Sequence, residues 1–266
     1  MKTRIISAIV AIAITLPALI LGGIYFHLLL FIIAILSLKE LLDIKKTKKP
    51  LPYFVEFISY MILTLMIFGM SDFDIQNFSI DTRLLAALFL SLLTPTILYK
   101  DKEKYSINDA FYLSSVILFV GITNNLALIL RNESLNYLLY LLLITMTTDT
   151  YALITGMLVG KKKLIAEISP KKTYEGLVGG TFMGVFVSVV FYMTVIDPNI
   201  NVILITIISL FLSILGQFGD LVFSVIKRYF GKKDFSNIMP GHGGVLDRLD
   251  SFLFVILGFM FFITLL

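Results

Sequence analysis

The feature that most constrains this chain is the recurrence of long, uninterrupted apolar runs. They fall at about 5–21, 24–42, 52–70, 84–99, 108–130, 136–159, 177–196, 200–226 and 250–266. Each is roughly the 17–25 residues that a helix needs to cross ~30 Å of hydrocarbon. In lipid every backbone N–H and C=O must be satisfied within a helix or a closed barrel. The runs are continuous rather than alternating, so helices are expected and a barrel is not. Composition agrees: 58% of the 266 residues are hydrophobic and 15% charged, against about 45–50% and 25% in a soluble domain, and the mean hydropathy is +0.94. The expectation is an all-α, polytopic integral membrane protein of about nine transmembrane helices.

The positive charges orient it. All but two of the 22 Lys and Arg fall in connections that share one side if the N-terminus is cytoplasmic. These are Lys2 and Arg4; Lys39, Lys45, Lys46, Lys48 and Lys49; Lys100, Lys102 and Lys104; Lys161, Lys162, Lys163, Lys171 and Lys172; and Lys227, Arg228, Lys232, Lys233 and Arg248. Only Arg83 and Arg131 fall on the other side. Cytoplasmic enrichment of Lys and Arg in short loops sets topology, so the N-terminus is expected inside and the C-terminus outside. A miscount of one helix would scramble the later loops. The first run lacks a small-x-small cleavage site and is followed at once by another apolar run after Gly22-Gly23, which reads as a retained helix rather than a signal peptide. Residues 1–266 read as a single transmembrane domain, with N-terminal helices in 1–135, further helices in 136–266, and polar loops at 160–176 and 227–249. The chain has no Cys, which removes disulfides and thiolate metal sites, and no Trp, so Tyr and Phe must supply any aromatic belt.

Carboxylates inside spans are expensive, so they tend to face a bundle interior or a wet cavity. Those singled out are Glu56, Asp109, Asp149 and Asp220. Glu56 and Asp109 lie within about a turn of a helix end, where water is in reach. Asp149 belongs to a polar patch, Thr145 to Tyr151, in which Thr145, Thr148, Asp149 and Ala152 share a face at helical spacing; the hydroxyls could satisfy the carboxylate, or the patch could serve chemistry. Asp220 is followed on one face by Ser224, Lys227 and Arg228. A carboxylate, a hydroxyl and two cations in that order could hold a metal and a phosphate chain, or the cations could simply snorkel and pair with Asp220.

Two loops stand out. The first carries Lys161 to Lys163, which suit topology and anionic lipid, then Ser169-Pro170-Lys171-Lys172-Thr173-Tyr174-Glu175-Gly176 ahead of Gly179-Gly180. Cations before a Gly-rich helix N-terminus suit a polyanion. The second carries Lys232-Lys233-Asp234 and then Pro240-Gly241-His242-Gly243-Gly244-Val245-Leu246-Asp247-Arg248-Leu249-Asp250. Glycines there open backbone conformations closed to other residues, and successive N–H groups can form an anion-binding concavity. Asp247 and Asp250 sit at the start of the last helix, where capping alone also favours acids. With His27 in a distant span as the other His, a His-based metal site is not expected; phosphate binding and turn structure both remain open for His242.

At these residues the sequence resembles the bacterial phosphatidate cytidylyltransferases, or CDP-diacylglycerol synthases. The signature Ser-x-x-Lys-Arg-x4-Lys-Asp, followed by Pro-Gly-His-Gly-Gly-x-x-Asp-Arg-x-Asp, is met by Ser224, Lys227, Arg228, Lys233, Asp234, Pro240 to Gly244, Asp247, Arg248 and Asp250. The Ser169 to Gly176 segment and Gln217-x-Gly219-Asp220 are also similar to the family's. Met239 stands where Leu or Ile is expected, Ala152 is followed by Leu153 rather than an aromatic, and Gly156 to Lys161 lack the family's Arg.

The resemblance implies transfer of CMP from CTP to phosphatidate, giving CDP-diacylglycerol and pyrophosphate, at the cytoplasmic face of the inner (plasma) membrane. It implies Mg²⁺, with a second cation as an option, held by Asp220 and Asp247; Ser224, Lys227 and Asp149 complete the implied catalytic set. Lys171, Lys172, Thr173, Arg228, Lys233, His242, Gly243 and Arg248 are the implied substrate contacts. CTP, phosphatidate and membrane lipids are the expected partners, with a homodimer as the default and no nucleic acid. The rival from another class is a membrane transporter of ions or phospho-metabolites, which predicts inverted repeats and broken helices; no repeat is visible. A phosphotransferase acting on CDP-activated lipids would need an Asp-Gly-x-x-Ala-Arg cluster, which is absent.

Overall fold

The structure is a computed structural model that describes residues 2–69, 81–99, 101 and 103–263. Lys100 and Lys102, the side chains of Lys2 and Arg4, and the last residues of the ninth expected span lie outside the described set. The elements are α1 (Lys2–Leu21), α2 (Gly23–Lys46), α3 (Tyr53–Gly69), α4 (Thr82–Leu93), α5 (Pro95–Leu98), α6 (Ile107–Glu133), α7 (Leu135–Val159), β1 (Lys163–Ile165), β2 (Ser169–Thr173), α8 (Tyr174–Phe191, continued as a π-turn over Tyr192–Ile196), α9 (Val202–Tyr229) and α10 (Leu246–Phe259). Among the described residues α2, α6, α7, α8 with its π-turn, and α9 are long and apolar enough to cross a membrane, and Ile6–Leu21, Tyr53–Gly69 and Thr82–Leu98 are shorter apolar helices.

Each expected run contains a helix, and local chemistry sets the ends. Asp81, Ser134, Thr173 and Asn201 each accept a backbone N–H of the first turn they precede, as N-caps do. Pro95 opens α5 and breaks the fourth run into α4 and α5. Two elements differ from expectation. The 160–176 loop contains a two-stranded antiparallel ribbon, β1 against β2, where no strand is expected. The last helix starts four residues before Asp250 and ends at Phe259, so at 14 residues it spans only about 21 Å.

The chain divides into two compact units. The first holds Met1–Asn132 together with Asp234–Leu246. Its core is built from Leu38, Leu41 and Leu42 on α2, Val55, Ile62 and Met66 on α3, and Ile117 and Val120 on α6. Asp109 does not reach for water: it is buried and holds Lys45 and, at 2.6 Å, Lys49, while Ser106 donates both its N–H and its hydroxyl. Glu56 pairs with Lys46 at 2.7 Å. At the opposite end of α6, Arg131 donates to the carbonyls of Leu19 and Ile20 at the end of α1. The end of α2 therefore lies by the start of α6, and the end of α1 by its finish.

The second unit holds Glu133–Lys233 and Asp247–Leu266. Within it α7 packs closely against α8. Gly176, Gly180, Gly184 and Ser188 form a buried stripe along α8, while Val178, Phe182, Phe186 and Val190 on another face are exposed. A Cβ at Gly176 would sit 2.6 Å from the Ala152 carbonyl oxygen, and one at Gly180 would sit 2.6 Å from that of Thr148. Small residues let membrane helices approach to backbone contact, and the exposed aromatic row is the inverse of a soluble helix. Thr148 and Ser213 share a hydroxyl bond of 2.8 Å that ties α7 to α9, as Tyr140 and Ser209 do at 2.8 Å.

Candidate active site

In the second unit, β2 delivers Lys171 and Lys172 to the start of α8. Lys171 points outward and is exposed; Lys172 turns inward and pairs with Asp220 at 2.8 Å, also donating to the Gln217 carbonyl at 3.2 Å. Thr173 is buried and caps α8, accepting the Gly176 N–H at 3.1 Å. Gln217 is itself fixed, its amide donating to Thr181 Oγ1 at 2.8 Å. The cation that reaches Asp220 thus comes from the preceding loop and not from its own helix.

Along α9, Ser224 donates to Asp220 at 3.3 Å, one turn on. Lys227, two turns on, pairs instead with Asp247 of α10 at 2.7 Å, both side chains being at least nine-tenths buried. Arg228 is exposed and donates to the Lys232 carbonyl at 2.7 Å, bracing the turn after α9. Lys233 and Arg248 are exposed. Gly219 lets α10 lie close, since a Cβ there would sit 2.8 Å from the Asp250 carbonyl. Asp149, Asp220 and Asp250 consequently interact electrostatically with one another, with Lys172 and Lys227 in the same field. The hydroxyls beside Asp149 on α7 do not serve it: Thr145 bonds the carbonyls of Leu141 and Leu142, and Thr148 bonds Ser213.

In the first unit, the Gly-rich segment forms a closed turn. Met239 and Gly243 bridge through Met239 N–H to Gly243 O at 2.9 Å, and His242 and Gly243 both donate back to the Met239 carbonyl. Gly241 at φ 78° and Gly243 at φ 86° occupy the left-handed region that glycine favours. His242 is half-buried, with Nδ1 2.7 Å from the Ser7 hydroxyl. A residue absent from the sequence-derived set also belongs here: Glu40 of α2 is 1% exposed and accepts from Ser236, Val245 and Leu246. Its signal in the sequence is a carboxylate between Leu38 and Leu41-Leu42, inside the second apolar run.

Among the described residues no three of His, Cys, Asp and Glu gather as a metal cluster. Among the described residues the oxygen donors that interact with Asp220 are the Ser224 hydroxyl and the carboxylates of Asp149 and Asp250, while Asp247 pairs with Lys227. That set suits a hard ion such as Mg²⁺, which takes one or two carboxylates and completes its shell with substrate phosphates and water.

A model of the cytidylyltransferase family matches residues 2–266. The chain belongs to the cytidylyltransferase family. It is 40% identical over 256 residues to the phosphatidate cytidylyltransferase of Staphylococcus haemolyticus (strain JCSC1435), an alignment covering 96% of each chain. The corresponding proteins of Staphylococcus saprophyticus and Staphylococcus aureus (strain COL) are 40% and 38% identical over 257 residues, again with 96% of each chain covered. The family is one of enzymes, and the match reaches well beyond the C-terminal signature into the N-terminal helices.

Proposed function

We propose that this cytidylyltransferase transfers CMP from CTP to phosphatidate, a reading supported by its relatives' name, phosphatidate cytidylyltransferase. The observation that carries the reading is the pair of ion pairs formed by β2, α9 and α10, in which Lys172 meets Asp220 and Lys227 meets Asp247. A phosphate oxygen of phosphatidate attacks the α-phosphorus of CTP; the α–β bridging P–O bond breaks and pyrophosphate leaves. Both reactants are anions, so the protein's task is to hold them in line and neutralise charge, for which no side chain need bond covalently to substrate. Asp220 and Asp247 would hold Mg²⁺, whose charge would screen the nucleotide phosphates. Lys172 and Lys227 would share the neutralisation of the phosphates with Lys171, Arg228, Lys233 and Arg248, which are exposed. Ser224 and Asp149 orient Asp220 and Lys172. Thr173 serves by fixing the start of α8.

Chemistry at the cytoplasmic interface of the plasma membrane suits both substrates, one dissolved in cytosol and the other anchored at headgroup depth. The test is Asp220→Asn in purified protein with phosphatidate micelles, labelled CTP and Mg²⁺. Turnover should fall by at least about 10²-fold, the scale of losing one preorganised charge, with an unchanged elution profile. EDTA should abolish turnover of the unmodified enzyme. Near-normal transfer by Asp220→Asn would refute the metal assignment.

A further inference from the structure

A carboxylate removed from water and lipid alike is costly unless its oxygens are hydrogen-bonded. Glu40 meets that condition with three donors, all from one stretch of chain. Oε1 accepts the Ser236 hydroxyl at 2.6 Å and the Val245 N–H at 2.8 Å; Oε2 accepts the Leu246 N–H at 2.9 Å. Ser236 Oγ in turn accepts the Ile238 N–H at 3.2 Å. One side chain of α2 therefore ties together both ends of the segment 236–246, while the Met239–Gly243 bridge closes its middle.

This contact accounts for Gly244. It lacks the positive φ of Gly241 and Gly243. A Cβ on it would stand 2.4 Å from Oε1, 2.7 Å from Oε2 and 2.7 Å from Cδ of Glu40. The second glycine of Gly243-Gly244 is thus a place kept clear for a carboxylate. The chain leaves this anchor at Leu246 and its next two residues are Asp247 and Arg248.

We propose that Glu40 is a positioning residue for nucleotidyl transfer, fixing the Gly-rich segment so that its turn and the residues that follow are preset for an anionic nucleotide. The inference rests on the function proposed above. Glu40 touches no reacting atom; it acts through the backbone of Val245 and Leu246 and the hydroxyl of Ser236. Charge-assisted bonds to backbone N–H groups are stronger and shorter than neutral ones, so the carboxylate holds this loop more firmly than an amide would.

The test is Glu40→Gln, which keeps shape and one acceptor but turns an NH₂ toward N–H donors. Turnover number should drop by about 10–10²-fold, the scale of a sub-ångström to 1 Å misplacement, with KM for CTP and phosphatidate changed less than about threefold and the melting temperature retained. Amide exchange at Val245 and Leu246 should accelerate while the α6 core stays protected. Turnover within twofold of the parent, or reduced turnover with unchanged exchange at those two amides, would overturn the proposal. Should Glu40→Gln not accumulate folded, Ser236→Ala removes one donor and leaves the carboxylate capped; faster exchange and lower turnover support the anchor, and parental values in both reject it. If the unmodified protein transfers nothing from CTP, the functional reading fails on that control, while the exchange arm still decides whether Glu40 anchors the segment.

Discussion

Asp247 and Lys227 form the more enclosed of the two charge pairs, with side-chain exposures of 6% and 9%, whereas Lys172 and Asp220 are at 23% and 30%. The difference sets what each substitution does. Removing one partner of a buried pair strands the other charge and costs about 3–5 kcal/mol. Lys227→Met should therefore lower the unfolding temperature clearly, and the double variant Lys227→Met/Asp247→Leu should recover much of that loss while remaining inactive. Recovery of stability without recovery of turnover separates packing from chemistry; a double variant that regains both would remove Lys227 and Asp247 from the site. The half-exposed pair behaves otherwise. Lys172→Met should change stability by at most about 1 kcal/mol yet depress turnover, a split readable from thermal denaturation beside the transfer assay. The residues involved are legible in the sequence, but their partners are not: a helix-face argument pairs Lys227 with Asp220, while the fold hands Asp220 the lysine of a preceding loop and sends Lys227 to α10. Glu40 shows in the sequence only as a carboxylate within an apolar run; its partners do not show, since they lie 196 to 206 residues away.

At the scale of elements, apolar runs locate the helices because the bilayer fixes their length, and caps at Ser134, Thr173 and Asn201 fix their starts. What the runs do not reveal is which face packs. The glycines after Lys172 read as a cradle for a polyanion, yet Gly176, Gly180 and Gly184 are spent on contact with α7. The four-residue spacing that marks this stripe is present in the sequence, beside the alternating row Val178, Phe182, Phe186 and Val190. Only the packed structure tells the interface from the lipid face. Gly180→Leu should push α8 off α7 and destabilise the protein by about 1–3 kcal/mol or more, as overpacking does. Phe182→Leu on the exposed row should leave the melting temperature within a degree or two. The β1–β2 ribbon escapes sequence reading because its strands are three and five residues long and charged.

For the whole molecule, the distribution of Lys and Arg argues an orientation that labelling can test. The chain has no cysteine, so single-cysteine variants report accessibility without background. Arg83→Cys should be labelled by a membrane-impermeant maleimide in intact cells, and Lys162→Cys only after permeabilisation; the reverse pattern would invert the assignment. The grouping of Asp234–Leu246 with the first unit, apart from its sequence neighbours, is a property that no local pattern announces. The most direct test of the account follows the phosphorus atoms themselves. Purified protein is given phosphatidate and CTP labelled at either the α- or the γ-phosphorus. Label from the α position in the lipid phase, with γ label recovered as pyrophosphate, is the predicted result. Label from the γ position in lipid, or none from either in folded protein, would contradict it.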